Sequence, residues 1–199
     1  MKIESIPVKN YKALGDAAMT DLPAFAVFVG PNGSGKSTLF DVFGFLKDAL
    51  SSNVRQALQR RGGYGEVVTR GRAAEGIQLE IQFRMHIADV ERLVTYHLSI
   101  KANSCGIPYI EREILRYKRG SYGSPFHFLD FSNGRGFAIR NEESFQAAET
   151  ELEREHHELD SPDILAIKGL GQFQRFRAAS GFRQLIENWY VSDFHITAA

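Results

Sequence analysis

The stretch FVGPNGSGKSTLF, residues 28–40, constrains this chain more than any other. It joins an apolar run, Ala24–Val29, to a segment in which Leu39, Val42, Phe43, Leu46 and Leu50 recur at helical spacing. The first predicts a strand buried on both faces of a sheet, the second a helix that packs one stripe against it. Between them lies the pattern G-x-x-x-x-G-K-[ST]: Gly30, then Pro31-Asn32-Gly33-Ser34, then Gly35-Lys36-Ser37. Gly33 and Gly35 open backbone angles that a side chain would resist, so successive N–H groups can curl around phosphate oxygens. The helix start adds unpaired amides and the positive end of its dipole. Strand, glycine loop and helix together predict a nucleotide-phosphate site. Its residues are Gly30, Asn32, Gly33, Ser34, Gly35, Lys36, Ser37 and Thr38, with Lys36 on the β- and γ-phosphates and the Ser37 hydroxyl on Mg²⁺.

Composition narrows the setting. At 199 residues the chain has room for one substantial domain with a modest addition. Lys plus Arg equals Asp plus Glu, 24 each, so no global basicity points to a polyanion. Cys105 is the lone cysteine, which excludes an intramolecular disulfide and fits a reducing compartment. The first residues lack the apolar core of a signal peptide, and no run approaches the ~18 apolar residues of a membrane span. A cytoplasmic location with no membrane contact is the expectation.

Beyond the first helix, residues 53–61 read as another, followed by a glycine- and arginine-rich loop, RRGGYGEVVTRGR. The period then changes to two. Ile77, Leu79, Ile81, Phe83 and Met85 alternate with polar residues, and Val94, Tyr96, Leu98 and Ile100 repeat the pattern. A third run lies within 109–118, and FHFLDF with GFAIR predicts a hairpin turned at Ser132-Asn133-Gly134. Half-buried strands in series make an antiparallel meander, not the strand–helix alternation of a nucleotide kinase or small GTPase. Residues 141–159 predict a largely solvated helix on a narrow line of Phe145, Ala148, Leu152 and Leu159. His156 and His157 are adjacent and diverge on a helix, so they predict no metal site. Ser161-Pro162 reads as the cap and first position of a further helix, residues 173–188 as another, and 189–194 as a strand.

With these residues in view, the chain resembles the N-terminal half of an ABC-type ATPase head of the RecF/SMC/OLD group, close to its small AAA-type, SMC-like or RecF-like ATPases. Val8-Lys9-Asn10-Tyr11-Lys12 is similar to the group's opening motif, and the P-loop and meander follow in the group's order. The resemblance implies an α/β P-loop NTPase fold: an ABC-ATPase-like N-terminal lobe with an antiparallel β-meander subdomain and a small helical part. It divides the chain into a P-loop core (1–75), an antiparallel subdomain (76–140), a helical segment (141–188) and a core strand (189–199). It implies ATP and Mg²⁺ as ligands, homodimerisation of heads, and DNA as a working partner. Arg60 and Arg61 fall in the group's arginine loop, for phosphate or DNA contact. Gln172, ahead of Gln174, matches the Q-loop glutamine, a Mg²⁺ ligand that also holds the attacking water.

The departures are as informative. No coiled coil leaves the meander, and the signature motif, Walker B carboxylates and switch histidine of the group have no match. Asp130 closes an apolar run, yet a hairpin turn rather than a second acid follows it, and Asp160 lacks a preceding apolar strand. The expectation is an ATP-binding lobe of a longer ATPase, a cradle without its base and inactive alone. A guanylate-type nucleotide kinase and a non-catalytic, ATP-gated partner of a nuclease are the alternatives.

Overall fold

The computed structural model describes residues 2–87, 90–118, 125–140 and 152–189. Its centre is one eight-stranded sheet. The strands are β1 (Lys2–Tyr11), β2 (Leu14–Met19), β3 (Ile77–Ile87), β4 (Val90–Ala102), β5 (Pro108–Tyr117), β6 (Phe126–Ser132), β7 (Arg135–Ile139) and β8 (Arg154–Glu158). They lie in the order β2-β1-β3-β4-β5-β6-β7-β8, every pair antiparallel. Among the described residues five helices accompany them: α1 (Lys36–Ser51), α2 (Val54–Gln59), α3 (Tyr64–Val67), α4 (Ala166–Leu170) and α5 (Arg177–Glu187).

The period-two pattern explains the sheet's two faces. Ile77, Leu79, Ile81, Phe83, Met85 and Ile87 of β3 are all buried, and Val94, Tyr96, Leu98 and Ile100 of β4 join them in one core. The helices cover this face. Phe182 of α5 stacks on Phe83 at 4.9 Å and lies 4.3 Å from the Tyr96 ring, while Phe45 of α1 meets Tyr11 of β1 at 5.8 Å. On the opposite face charges alternate in sign across the strands: Arg84 with Glu4 at 2.8 Å, Lys101 with Glu111 at 2.6 Å, Arg112 with Asp130 at 2.8 Å. Such exposed pairs add little stability each, but they keep that face wet and charge-balanced. The β6–β7 turn has both Asn133 and Gly134 at positive φ, 51° and 78°, the primed turn that matches strand twist.

Four expectations need correction. The run Ala24–Val29 is not a strand; it is irregular, bent at Ala24 and Phe25, and exposed, with Phe25 82 % and Val29 90 % accessible. An apolar run becomes a strand only where neighbours supply its ladder, and no described strand lies beside this one. The division at residue 75 is not respected by the sheet, because β1 and β2 pair into the same layer as β3 through Val8↔Leu79 and Lys9↔Gln78. Residues 154–158 form β8, not part of a helix, since β7 offers a free edge that pairs from Arg135↔Glu158 to Ile139↔Arg154. Residues 141–151 of that expected helix lie outside the described residues, as do 190–199 of the expected core strand. Finally, Ser161-Pro162 forms a turn in which the Ser161 hydroxyl donates to Asp163, and the helix starts later, at Ala166.

Candidate functional site

The glycine loop enters α1 as its sequence requires. Gly33 and Gly35 take left-handed angles, φ 83° and 91°, and Gly35 is the N-cap of the 16-residue helix. A glycine cap has no side chain to satisfy the first amides, and none of the loop's side chains does so either. Leu39 N–H is bonded back to Gly35 O at 2.9 Å. The amides of Gly35 to Thr38, together with the positive end of the helix dipole, form a donor set suited to an anion, while Ser34 N–H is bonded within the loop to Pro31 O at 3.3 Å.

Lys36 completes it. Its Nζ donates to Gly30 O at 2.7 Å, Pro31 O at 2.8 Å and Ser34 Oγ at 3.2 Å, so the ammonium already faces three oxygens of the loop that curls around it. Phosphate oxygens are stronger acceptors than carbonyls for the same three donors. Asn32, Gly33 and Ser34 are exposed at the crest of the loop, and Ser37 and Thr38 lie in the first turn of α1. The donor set therefore fits a nucleotide's phosphates, and the exposed Ser37 hydroxyl stands where it could hold a Mg²⁺ carried by them. Among the described residues no group of histidine, cysteine or carboxylate side chains could hold a metal by itself.

The body of α1 packs Leu39, Val42, Phe45, Leu46, Ala49 and Leu50 into the core. Phe43, read from its spacing as a member of that stripe, is half-buried against the same core, and Trp189 meets it edge-on at 4.8 Å. Phe40 stays 42 % exposed and meets Phe28 at 5.8 Å.

Arg60 and Arg61 are engaged with α1. Arg61 Nε donates to Asp41 Oδ1 at 2.8 Å and its Nη1 to Asp48 Oδ2 at 2.7 Å, while Arg60 Nη1 takes Asp48 Oδ1 at 2.7 Å. Asp41 also accepts from Lys12 Nζ at 2.5 Å and Tyr11 O–H at 2.9 Å. Burial works against ionisation of Asp41, but the Lys12 hydrogen bond and the Arg61 charge outweigh it and hold the carboxyl below its usual range. The Arg61 side chain is only 11 % exposed, so its donors serve this network rather than a passing anion; Arg60, at 55 %, keeps a face to solvent. Asp41 and Asp48, two turns apart on one face of α1, were the legible signal that two basic partners would follow.

Gln172 is not brought to Ser37. Its Nε2 donates to Lys168 O at 3.1 Å, and the Lys168 ammonium is bonded to Ser51 O at 3.2 Å, at the other end of α1. That end lies about 20 Å from Ser37 at the ~1.5 Å rise of a helix. Asp130, the acid at the end of FHFLDF, is occupied by Arg112 through two hydrogen bonds of 2.8 and 3.0 Å and by His127 at 2.8 Å. Sequence reasoning missed Glu113, fully buried on β5, which accepts from Ala166 N–H at 2.5 Å, Ile167 N–H at 3.1 Å and Tyr96 O–H at 3.1 Å. Its signal was positional, because it shares the inward phase of Leu115 and Tyr117, where an acid must find donors.

No helix among the described residues is long and apolar enough to cross a membrane. No curated protein matches the chain. A family model described as AAA ATPase domain matches residues 1–162, most of the chain, and with the phosphate loop in place the chain belongs to that family of P-loop, ATP-binding ATPases.

Proposed function

We propose that this chain is the ATP-binding lobe of an ABC-class, RecF/SMC-like ATPase in which ATP gates the pairing of two heads for work on DNA. The observation that carries the reading is the uncapped start of α1 behind two left-handed glycines, with the Lys36 ammonium folded into the loop. Gly33, Gly35, Lys36, Ser37 and Thr38 offer amides to the phosphates, Lys36 neutralises the β- and γ-oxygens, and Ser37 holds Mg²⁺. The metal would supply charge neutralisation along the phosphate chain. The antiparallel run from β3 to β7 supports an ABC-type lobe over a nucleotide kinase, whose core alternates strands with helices. The exposed apolar face of Phe25, Val27 and Val29, directly before the loop, favours completion of this lobe by further strands on that side.

Lys36→Ala tests the site. The side chain supports no core, so the melting temperature should stay within about 2 °C of wild type, a shift well under 1 kcal/mol. Mg-ATP affinity should fall at least ~100-fold, the scale of the charge-assisted hydrogen bonds lost. Calorimetric titration of both proteins decides it, and equal affinities would remove the assignment.

A further inference from the structure

We propose that Lys168, held in place by Glu113, is a positioning residue for nucleotide binding: through α4 the pair forms a bracket that sets the phosphate-loop helix from its far end. The inference rests on reading residues 30–38 as the phosphate cradle. It starts from how α1 is supported. At its N-terminal end the loop is exposed from Phe25 to Ser34, while the first turns of α1 are held by Leu14 beside Gly35, by the buried Leu39 and Val42, and by Asp41 with Lys12, Tyr11 and Arg61. A helix is a rigid rod, so the direction in which its amide cradle points depends as well on what holds its far end.

At the far end the last carbonyls of a helix lack partners and carry the negative end of its dipole. Lys168 Nζ supplies both needs, donating to Ser51 O at 3.2 Å and to Ser52 O. The corner that follows is held by Val54 N–H on Asp163 O at 2.9 Å. One turn before that end, Lys47 Nζ donates to Trp189 O at 2.6 Å beside the Phe43–Trp189 contact, so the residues just beyond α5 grip the same helix.

Lys168 can act as a fixed point only if α4 is fixed, and a five-residue helix has no stability of its own. Its N-cap, Leu165, contributes no side-chain hydrogen bond. Glu113 does so from β5, taking the amides of Ala166 and Ile167 while Tyr96 O–H holds the same carboxylate. The Lys168 carbonyl is tied as well, by Arg183 Nη1 at 3.3 Å and Gln172 Nε2 at 3.1 Å. A continuous path of hydrogen bonds thus runs from the middle of the sheet, through α4, to the C-terminal end of α1.

The test compares wild type, Lys168→Met, Lys168→Arg, Glu113→Gln and Lys36→Ala by hydrogen exchange without nucleotide and by Mg-ATP titration. Lys168→Met should raise exchange at the amides of Leu39 to Val42, remote from the substitution, about tenfold, and weaken Mg-ATP by a similar factor, the scale of one charge-assisted hydrogen bond. Lys168→Arg, which can reach the same carbonyls, should restore both, and Glu113→Gln should repeat the loss. Unchanged exchange at Leu39 to Val42 in Lys168→Met overturns the bracket, as does unchanged affinity in that variant when Lys36→Ala abolishes binding. If Lys36→Ala leaves affinity intact, the cradle reading fails, and the exchange measurement alone then decides whether α1 is set from its far end.

Discussion

Raising the pH from 4.5 to 7 should cost the wild-type fold about 3 kcal/mol through Glu113 alone. Burial pushes this carboxyl from its ordinary 4.5 up to about 7, against the opposing pull of hydrogen bonds from Ala166, Ile167 and Tyr96. The folded chain therefore holds a proton that the unfolded chain has released across that interval. Stability from this group is complete below pH 4.5 and is lost as the pH climbs through the folded value of about 7. Glu113→Gln cannot ionise, so its stability should be lower at acid pH but free of this slope. Denaturant unfolding of both proteins from pH 4.5 to 8 isolates the effect. Asp41, Glu111 and Asp130 are all held below their usual range and titrate on the acid side in both proteins alike. Parallel curves would show that Glu113 is ionised in the fold throughout.

Hydrolysis carries the largest expected effect. The chain should bind Mg-ATP and turn it over at the uncatalysed background. Asp41, the carboxylate on α1 nearest the loop in sequence, is engaged by Lys12, Tyr11 and Arg61, and Asp130 by Arg112 and His127. Glu113 is buried against α4. Each of these carboxylates is committed to structure, so none is placed to activate a water. A positioned base typically contributes ~10²–10⁴-fold, and preorganised charge at the transition state a further ~10²–10³-fold. On the proposed reading, a second head contributes to both. Phosphate release by the purified chain, with Lys36→Ala as the control for a contaminant, measures it. Sustained release that disappears in Lys36→Ala would mean that a catalytic base lies within these 199 residues.

What the sequence revealed and what it concealed have separate physical causes. The loop and the start of α1 were legible because glycine spacing and helical period act within a few residues. The strands β3 to β7 were legible because alternation records a face that is half buried. Ala24–Val29 misled because apolar content reports what a segment can bury, not whether a neighbour is there to bury it. β8 was hidden for the opposite reason. REHHE has no apolar residue to alternate, and only the edge of β7 makes it a strand. The start of α4 was misplaced because its cap comes from Glu113 on β5, which no local pattern near Ser161 can show. Arg60 and Arg61 belonged to a recognisable loop, yet their carboxylate partners lie on α1, so their spacing alone did not reveal how they are used.

The most direct test of the phosphate cradle is the response of individual backbone amides to nucleotide. In ¹H–¹⁵N spectra of the labelled chain, Mg-ATP should shift the amides of Gly33, Gly35, Lys36, Ser37 and Thr38 first and furthest, and slow their exchange with solvent. These are the donors left unsatisfied by the glycine cap. The same titration of Lys36→Ala should leave them unmoved at equal concentration. Saturable shifts centred elsewhere on the sheet, with these amides unaffected, would contradict the account.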